Sequence, residues 1–206
     1  MIPSYPLRPT NGGPLHLSRP KRGQWTYEPK INGWRAIVHA PTSRMWNRHG
    51  KRLSIEHEFA AVLEAIRNAD LPPEMEWLDC EALERRHALG KGSLVVLDYI
   101  PPDIRATYEQ RQETLRGAIH SNRIPHTKLD HIAPPPNDLL LLLDNYNFND
   151  PIDPESMWAT LQDCNKEWNA EVFEGLVAKR LDSTYPRQLR SPNQECPYWV
   201  KHRWEF

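Results

Sequence analysis

The chain has 206 residues, with 26 Lys and Arg against 27 Asp and Glu, a net charge of −1 and 39% hydrophobic residues. That is one domain's length, enough to bury roughly 70% of the surface its unfolded form exposes, and the charge balance excludes a uniformly basic nucleic-acid binder. No run of about 18 apolar residues and no leader pattern occurs, so a soluble, cytoplasmic protein is expected, with Cys80, Cys164 and Cys196 as free thiols.

Charge is sorted along the chain: residues 19–52 carry nine bases against one acid, net +8, residues 53–178 a net of −13, and residues 179–206 a net of +3. If the fold brings the two basic ends together, they form one positive face suited to phosphates. Residues 1–23 are rich in Pro and Gly and read as an extended arm on the domain. Arg19, Lys21 and Arg22 are its candidate contacts to a nucleic-acid backbone.

Residues 24–27 and 34–40 read as strands, with Asn32-Gly33 placed for a hairpin-like turn at positive φ. Residues 44–47 read as a further strand, turned by His49-Gly50 into Lys51-Arg52-Leu53. The spacing of Phe59, Val62, Leu63 and Ile66 predicts a helix over 55–68, with Ser54 available as its cap and Glu56, Glu58 and Glu64 in solvent. Residues 76–83 alternate into a strand that puts Asp79 and Glu81 on one face, where Trp77, Leu78 and Ala82 suggest burial. Buried carboxylates need a cation or hydrogen-bond donors.

Residues 93–100 form a core strand, and 107–120 a helix with Leu115 and Ile119 inward and Arg111 toward the site. A short strand is expected over 129–133, stopped by Pro134 to Pro136, while the five leucines of 139–143 fit a buried strand or a short helix equally well. Residues 154–169 carry Met157, Trp158, Leu161 and Trp168 on an apolar helix face; 172–180 and 198–203 are the last strands.

Five stretches carry the chemistry: Glu28-Pro29-Lys30-Ile31-Asn32-Gly33-Trp34-Arg35, Asp79-Cys80-Glu81-Ala82, Leu94 through Tyr99, Glu174 through Arg180, and Trp199-Val200-Lys201-His202-Arg203. In order and type they resemble the successive motifs of the covalent nucleotidyltransferase superfamily, which holds ATP-dependent DNA ligases, RNA ligases and mRNA capping enzymes. The wording of 174–183 with Arg190-Ser191-Pro192 resembles bacterial end-joining ATP-dependent DNA ligases most.

The resemblance runs from about residue 24 to the C-terminus and implies an α+β nucleotidyltransferase domain at 24–206. Its fold would be ATP-grasp-like, two antiparallel β-sheets flanked by helices with the ATP site between them. Implied chemistry is attack of Lys30 on the α-phosphate of ATP to give a lysyl-adenylate, then sealing of nicked duplex DNA. A lysine poised near pH 7 to 8 needs a pKa shift of roughly three units from about 10.4.

Residue by residue, the match implies that Arg35 binds the ribose and Glu81 the ribose or metal, and that Glu174 is the second carboxylate for Mg²⁺ or Mn²⁺. Lys179 and Lys201 would reach the α-phosphate, Glu28 the adenine edge, with Ile31, Arg48 and Leu97 completing the nucleotide site. Arg44, Lys51, Arg52, Arg187, Arg190 and Arg203 join the amino-terminal bases as DNA contacts.

Asn32 stands where the family has Asp, Cys80 where Gly is common, and Leu97 where an aromatic ring often stacks on adenine, leaving Tyr99 or an aliphatic contact to serve. His202 separates the last two bases. Family ligases continue beyond the last lysine motif into an oligonucleotide-binding domain, so a minimal monomeric ligase, a partner supplying that domain and a truncated chain are all open. RNA ligase chemistry, or nick or end binding without turnover, are the alternatives.

Overall fold

The computed structural model describes residues 6–15, 25–84, 88–129, 132–143, 146–147, 153–187 and 194–204. Among the described residues, eleven strands form two sheets. The first contains β1 (Arg8–Asn11), β2 (Trp25–Ile31), β9 (Tyr146–Asn147), β10 (Phe173–Arg180) and β11 (Glu195–Arg203) in the order β1-β11-β10-β2-β9. The second contains β3 (Trp34–His39), β4 (Arg44–Asn47), β5 (Trp77–Leu83), β6 (Ser93–Tyr99), β7 (His126–Leu129) and β8 (Leu140–Leu143) in the order β4-β3-β5-β6-β8-β7. Three helices, α1 (Ala60–Asn68), α2 (Tyr108–Ser121) and α3 (Pro154–Glu167), complete the α+β fold.

Alternation along β3, β5 and β6 sends Ala36, Val38, Leu78, Cys80, Ala82, Leu94 and Val96 to one face, where they pack with Val62, Leu63 and Ile66 of α1 and Leu115 and Ile119 of α2. The other face carries Arg35, Asp79 and Glu81 and turns toward the first sheet. A second apolar cluster ties α3, through Met157 and Leu161, to Tyr27, Ile31, Phe173, Leu176 and Ala178, and reaches Val95 and Leu141 of the second sheet. Cys80 therefore sits on the core face, where its thiol fills space that glycine would leave open.

Several sequence expectations change. β2 and β3 are not a hairpin: they belong to different sheets, and the chain crosses between them at Asn32 and Gly33. Neither residue takes positive φ. Glycine is needed at 33 for space, since a Cβ there would lie 2.8 Å from both the Ala82 carbonyl oxygen and Glu81 Cγ. Asn32 is held by its backbone N–H on Val172 O (3.0 Å) and its side-chain amide on Glu171 O (3.1 Å).

Within the amino-terminal arm, residues 8–11 form a strand of the sheet. Both sheets are mixed, because β1 runs parallel to β11 and β8 runs parallel to β6 and β7. After β6 the chain passes through α2 before returning to the sheet, the kind of crossover that parallel pairing requires. A 3-10 turn, Glu56–Phe59, precedes α1, and Ser54 caps neither. α2 instead starts on a capping box between Thr107 and Gln110, and α3 on the Asp153 side chain. A short strand lies at His126–Leu129; of the expected 129–133, residues 132–133 are not strand and 130–131 lie outside the described residues. The leucine run resolves as β8, fully buried on both faces as a strand inside a partly parallel sheet is.

Two bulges shape the ground between the sheets. One shifts register between Phe173 and Gly175 against β2, leaving Glu174 as the extra residue; the other, between Asp79 and Cys80 against β6, leaves Leu97 extra. Tyr99 is thereby turned to the α1/α2 core and takes no part in the site.

Gly175 has φ +140°, and a Cβ on it would stand 1.9 Å from His202 O. Gly175→Ala should therefore destabilise the fold by about 2 kcal/mol or more. Gly117→Ala, on the exposed side of α2 with nothing within 4 Å of a new Cβ, should stabilise by about 0.5–1 kcal/mol. Urea unfolding of the two variants checks both signs.

Candidate active site

β2 presents Glu28 and Lys30 on one face, as period two requires, with Val177 and Gly175 of β10 opposite them. The bulge aims Glu174 at the lysine: Lys30 Nζ donates to Glu174 Oε1, and Arg203 Nη2 donates to the same oxygen at 3.0 Å. Glu28, 2% exposed, lies between Lys179 Nζ at 2.6 Å and the Tyr108 hydroxyl, which donates to it. Lys179 is itself buried, with the Trp199 ring centre 4.4 Å and the Tyr108 ring centre 4.9 Å from its nitrogen.

The opposite wall comes from β3 and β5. Arg35 forks onto both oxygens of Asp79, and Tyr185 donates its hydroxyl to Asp79 Oδ2 at 2.8 Å. Burial opposes the Arg35 charge, yet Asp79 outweighs it and holds the guanidinium above its ordinary range. Behind this wall Arg111, fully buried, grips both oxygens of Asp98 and donates to Ala106 O and Ser183 O. Asp98 is still pushed upward because burial exceeds what Arg111 returns. Arg111 thus holds the framework and does not face the cavity; losing one partner of such a buried pair costs about 3–5 kcal/mol.

Glu81, two residues from Asp79 on the same face, has no salt bridge to a cation among the described residues, and Asp79 and Glu174 both add to the negative charge around it. Burial raises its carboxyl to about 7 against the downward pull of Lys30 and Arg35. Lys201 is lowered by burial first and then by Arg203, Arg8 and Lys30.

These groups enclose a cavity of about 450 Å³ between the sheets. Of the residues expected from sequence, Glu28, Lys30, Ile31, Arg35, Arg48 and Glu81 line it. So do Leu97, Glu174, Lys179, Lys201 and Arg203. Arg44 and Arg52 do not: both donate to Glu56, which also takes the Met45 N–H. Burial raises the Glu56 carboxyl, and those three donors more than reverse it, so Glu56 is an ion-pair centre where solvation was expected. Lys51 is exposed on the turn after β4 and lies off the cavity wall, while Arg187 donates to Pro101 O. Arg19, Lys21, Arg22 and Arg190 lie outside the described residues.

Sequence reading did not find Arg8, Trp34, Tyr108, Tyr185 or Trp199 as site residues. Trp34 and Trp199 stand inside quoted motifs and could have been found there; Arg8 and Tyr185 sit in stretches without local pattern, Tyr108 opens a helix expected from its spacing, and all three reach the site only through tertiary packing.

Among the described residues no group of three His, Cys, Asp or Glu could hold a metal by itself. Glu81 and Glu174 both face the cavity, and a hard divalent cation there would complete its oxygen shell from phosphate and water, as Mg²⁺ does at nucleotide sites. The donor set fits such an ion.

No protein-family model matches the chain, and no curated protein sequence does. Solved structures do match. The mycobacterial DNA ligase D complexed with ATP and MES aligns at TM-score 0.62 and 21% identity, over 97% of this chain and 60% of that one. The ligase domain of the M. tuberculosis protein gives 0.61 and 20%, over 97% and 59%. Chlorella virus DNA ligase-adenylate gives 0.55 and 17%, over 96% and 67%. The chain thus spans about 60% of the length of the mycobacterial ligase chains, and its fold is that of ligase nucleotidyltransferase domains. No helix among the described residues is long and apolar enough to cross a membrane.

Because the folded protein holds the Glu81 carboxyl at about 7, above its ordinary 4.5, it binds that proton more tightly than the unfolded chain does. The stability contributed is full below pH 4.5 and is lost as pH rises through about 7. Glu81→Gln, which keeps the neutral shape, should therefore gain stability relative to wild type between about pH 5 and about pH 8. Thermal unfolding of both proteins across that range tests the sign.

Proposed function

We propose that the protein is an ATP-dependent DNA ligase that works through a covalent Lys30-AMP intermediate. The observation that carries this reading is that Lys30, Arg35, Glu81, Glu174 and Lys201, drawn from five strands of two sheets, converge on one cavity. The shared fold with ligase nucleotidyltransferase domains supports it.

In this reading the Lys30 nitrogen attacks the α-phosphorus, a P–N bond forms, and the bond to the bridging oxygen breaks to release pyrophosphate. The lysine ammonium must first give up a proton, and Glu174, its contact partner, is the acceptor that the geometry offers. Lys201, on β11 in the cavity wall and without a salt bridge among the described residues, neutralises charge that develops on the phosphate oxygens. Arg35, locked on Asp79, gives the ribose a donor that does not need to reorganise. Glu28, fixed by Lys179 and Tyr108, closes the purine end, where Leu97 supplies an aliphatic surface. A divalent cation bound by Glu81 and Glu174 would polarise the phosphates.

In the later steps AMP passes from Lys30 to the 5′-phosphate at a nick, and the 3′-hydroxyl displaces it. Arg48 and Arg203, exposed at the cavity wall, and Lys51, exposed on the turn after β4, serve as the strand contacts of this reading. Arg44 and Arg52 pair with Glu56 off the cavity wall while staying about half exposed.

Intact-mass analysis after incubation with ATP and Mg²⁺ should show one AMP adduct on wild type and none on Lys30→Ala, with the variant still folded by circular dichroism. Chasing the adduct with nicked duplex DNA should return the unmodified mass and a sealed strand. A wild-type protein that forms no adduct and does not seal a pre-adenylated nick would overturn the proposal.

A further inference from the structure

The amino-terminal strand brings to the cavity a cation that none of the five motifs contains. β1 is fastened alongside β11 by Leu7 N–H on Pro186 O (2.8 Å), Arg8 N–H on Gln194 O (3.2 Å) and Gly12 N–H on Lys201 O (3.0 Å). The Thr10 hydroxyl adds a bond to Cys196 O at 3.0 Å, and Leu7 is buried against Cys196 and Trp199. So anchored, the strand runs along the cavity wall with Arg8 as part of the lining, on the side that Lys201 occupies.

Among the bases that line the cavity, the pairing of charges leaves over Arg8, Lys201 and Arg48, the last exposed and donating to His49 Nε2. Lys30 and Arg203 share Glu174, Lys179 is on Glu28, and Arg35 is on Asp79. Neither Arg8 nor Lys201 forms a salt bridge with a carboxylate of the described residues. Their charges act on each other, since Arg8 is among the groups that lower Lys201. Glu195, the register partner of Arg8, offsets the Lys201 charge only weakly, as the last and smallest influence on it; two neighbouring cations with no carboxylate in salt-bridge contact, in a site partly shielded from water, are stabilised by a multivalent anion. An arginine fork matches phosphate oxygens in shape as well as in charge.

We propose that Arg8 is a phosphate-binding residue of the nucleotide site, reaching from β1 to hold the polyphosphate of a nucleoside triphosphate together with Lys201. This deepens the nucleotide-binding reading above and rests on it. It gives the amino-terminal strand a role in the chemistry beyond closing a sheet edge.

The test is direct titration of wild type, Arg8→Ala and Arg8→Lys with inorganic pyrophosphate, ATP and adenosine, followed by calorimetry. Arg8→Ala should bind pyrophosphate and ATP about tenfold more weakly while adenosine affinity stays at the wild-type value, and Arg8→Lys should recover part of the loss. Equal affinities in wild type and Arg8→Ala, or no pyrophosphate binding by wild type, would overturn the proposal. So would an equal loss for adenosine, which would put Arg8 on the base, or an equal loss in Arg8→Lys with lowered melting temperature, which would make it a prop for β1. Adenylation is scored separately: a wild type that binds pyrophosphate through Arg8 but neither forms Lys30-AMP nor seals a pre-adenylated nick would refute the ligase reading and leave the phosphate site standing.

Discussion

The passage of the chain from one sheet to the other at Gly33 is the constraint on which the remaining architecture depends. Two residues separate β2 from β3, so Lys30 and Arg35 leave from opposite sheets and look into the same space. The crossing is tight enough that Glu81 and the Ala82 carbonyl occupy the volume a side chain at 33 would need. Sheet separation, the position of Glu81 and the reach of Lys30 are therefore set together. A hairpin at the same place would have put both residues on one sheet and left no cavity between two.

What fills that space is charge, and each charge is handled by geometry. Register shifts on both walls turn residues that plain alternation would misplace: Glu174 toward Lys30, and Leu97 toward the cavity with Asp98 beside it to receive Arg111. The carboxylates fix cations in place before any ligand arrives, and groups oriented in advance cost little reorganisation when charge moves. Asp79 on Arg35 and Glu28 on Lys179 are of this kind. The same low-dielectric surroundings raise Glu81 and lower Lys201, so binding a cation near one and a phosphate near the other offsets a penalty already present in the fold.

Linear charge sorting overstated the positive face. The +8 of residues 19–52 includes Arg44 and Arg52, which share Glu56 from the acidic segment, so that one of their two charges is offset. Meanwhile Arg8, a lone base in a Pro-rich stretch, reaches the cavity because β1 pairs with the last strand. Pairing between distant segments, rather than local excess, decides which cations remain available to a ligand.

The sequence by itself determined the motif order, the α+β class, most strand and helix positions and the lysine at the centre, because period, turn chemistry and motif wording are local properties. It also placed Asp79 and Glu81 on one face, since alternation in a strand has no freedom. Only the tertiary structure decided that β2 and β3 part between two sheets, that 140–143 is a strand parallel to β6, that Arg111 is a buried brace, and that Tyr108, Tyr185 and Arg8 reach the site. Each of those outcomes depends on which surfaces meet between segments apart in the chain, 80 residues for Tyr108 on Glu28 and 106 for Tyr185 on Asp79, or on a one-residue bulge that flips a side chain's face, and neither leaves a periodic trace in the chain.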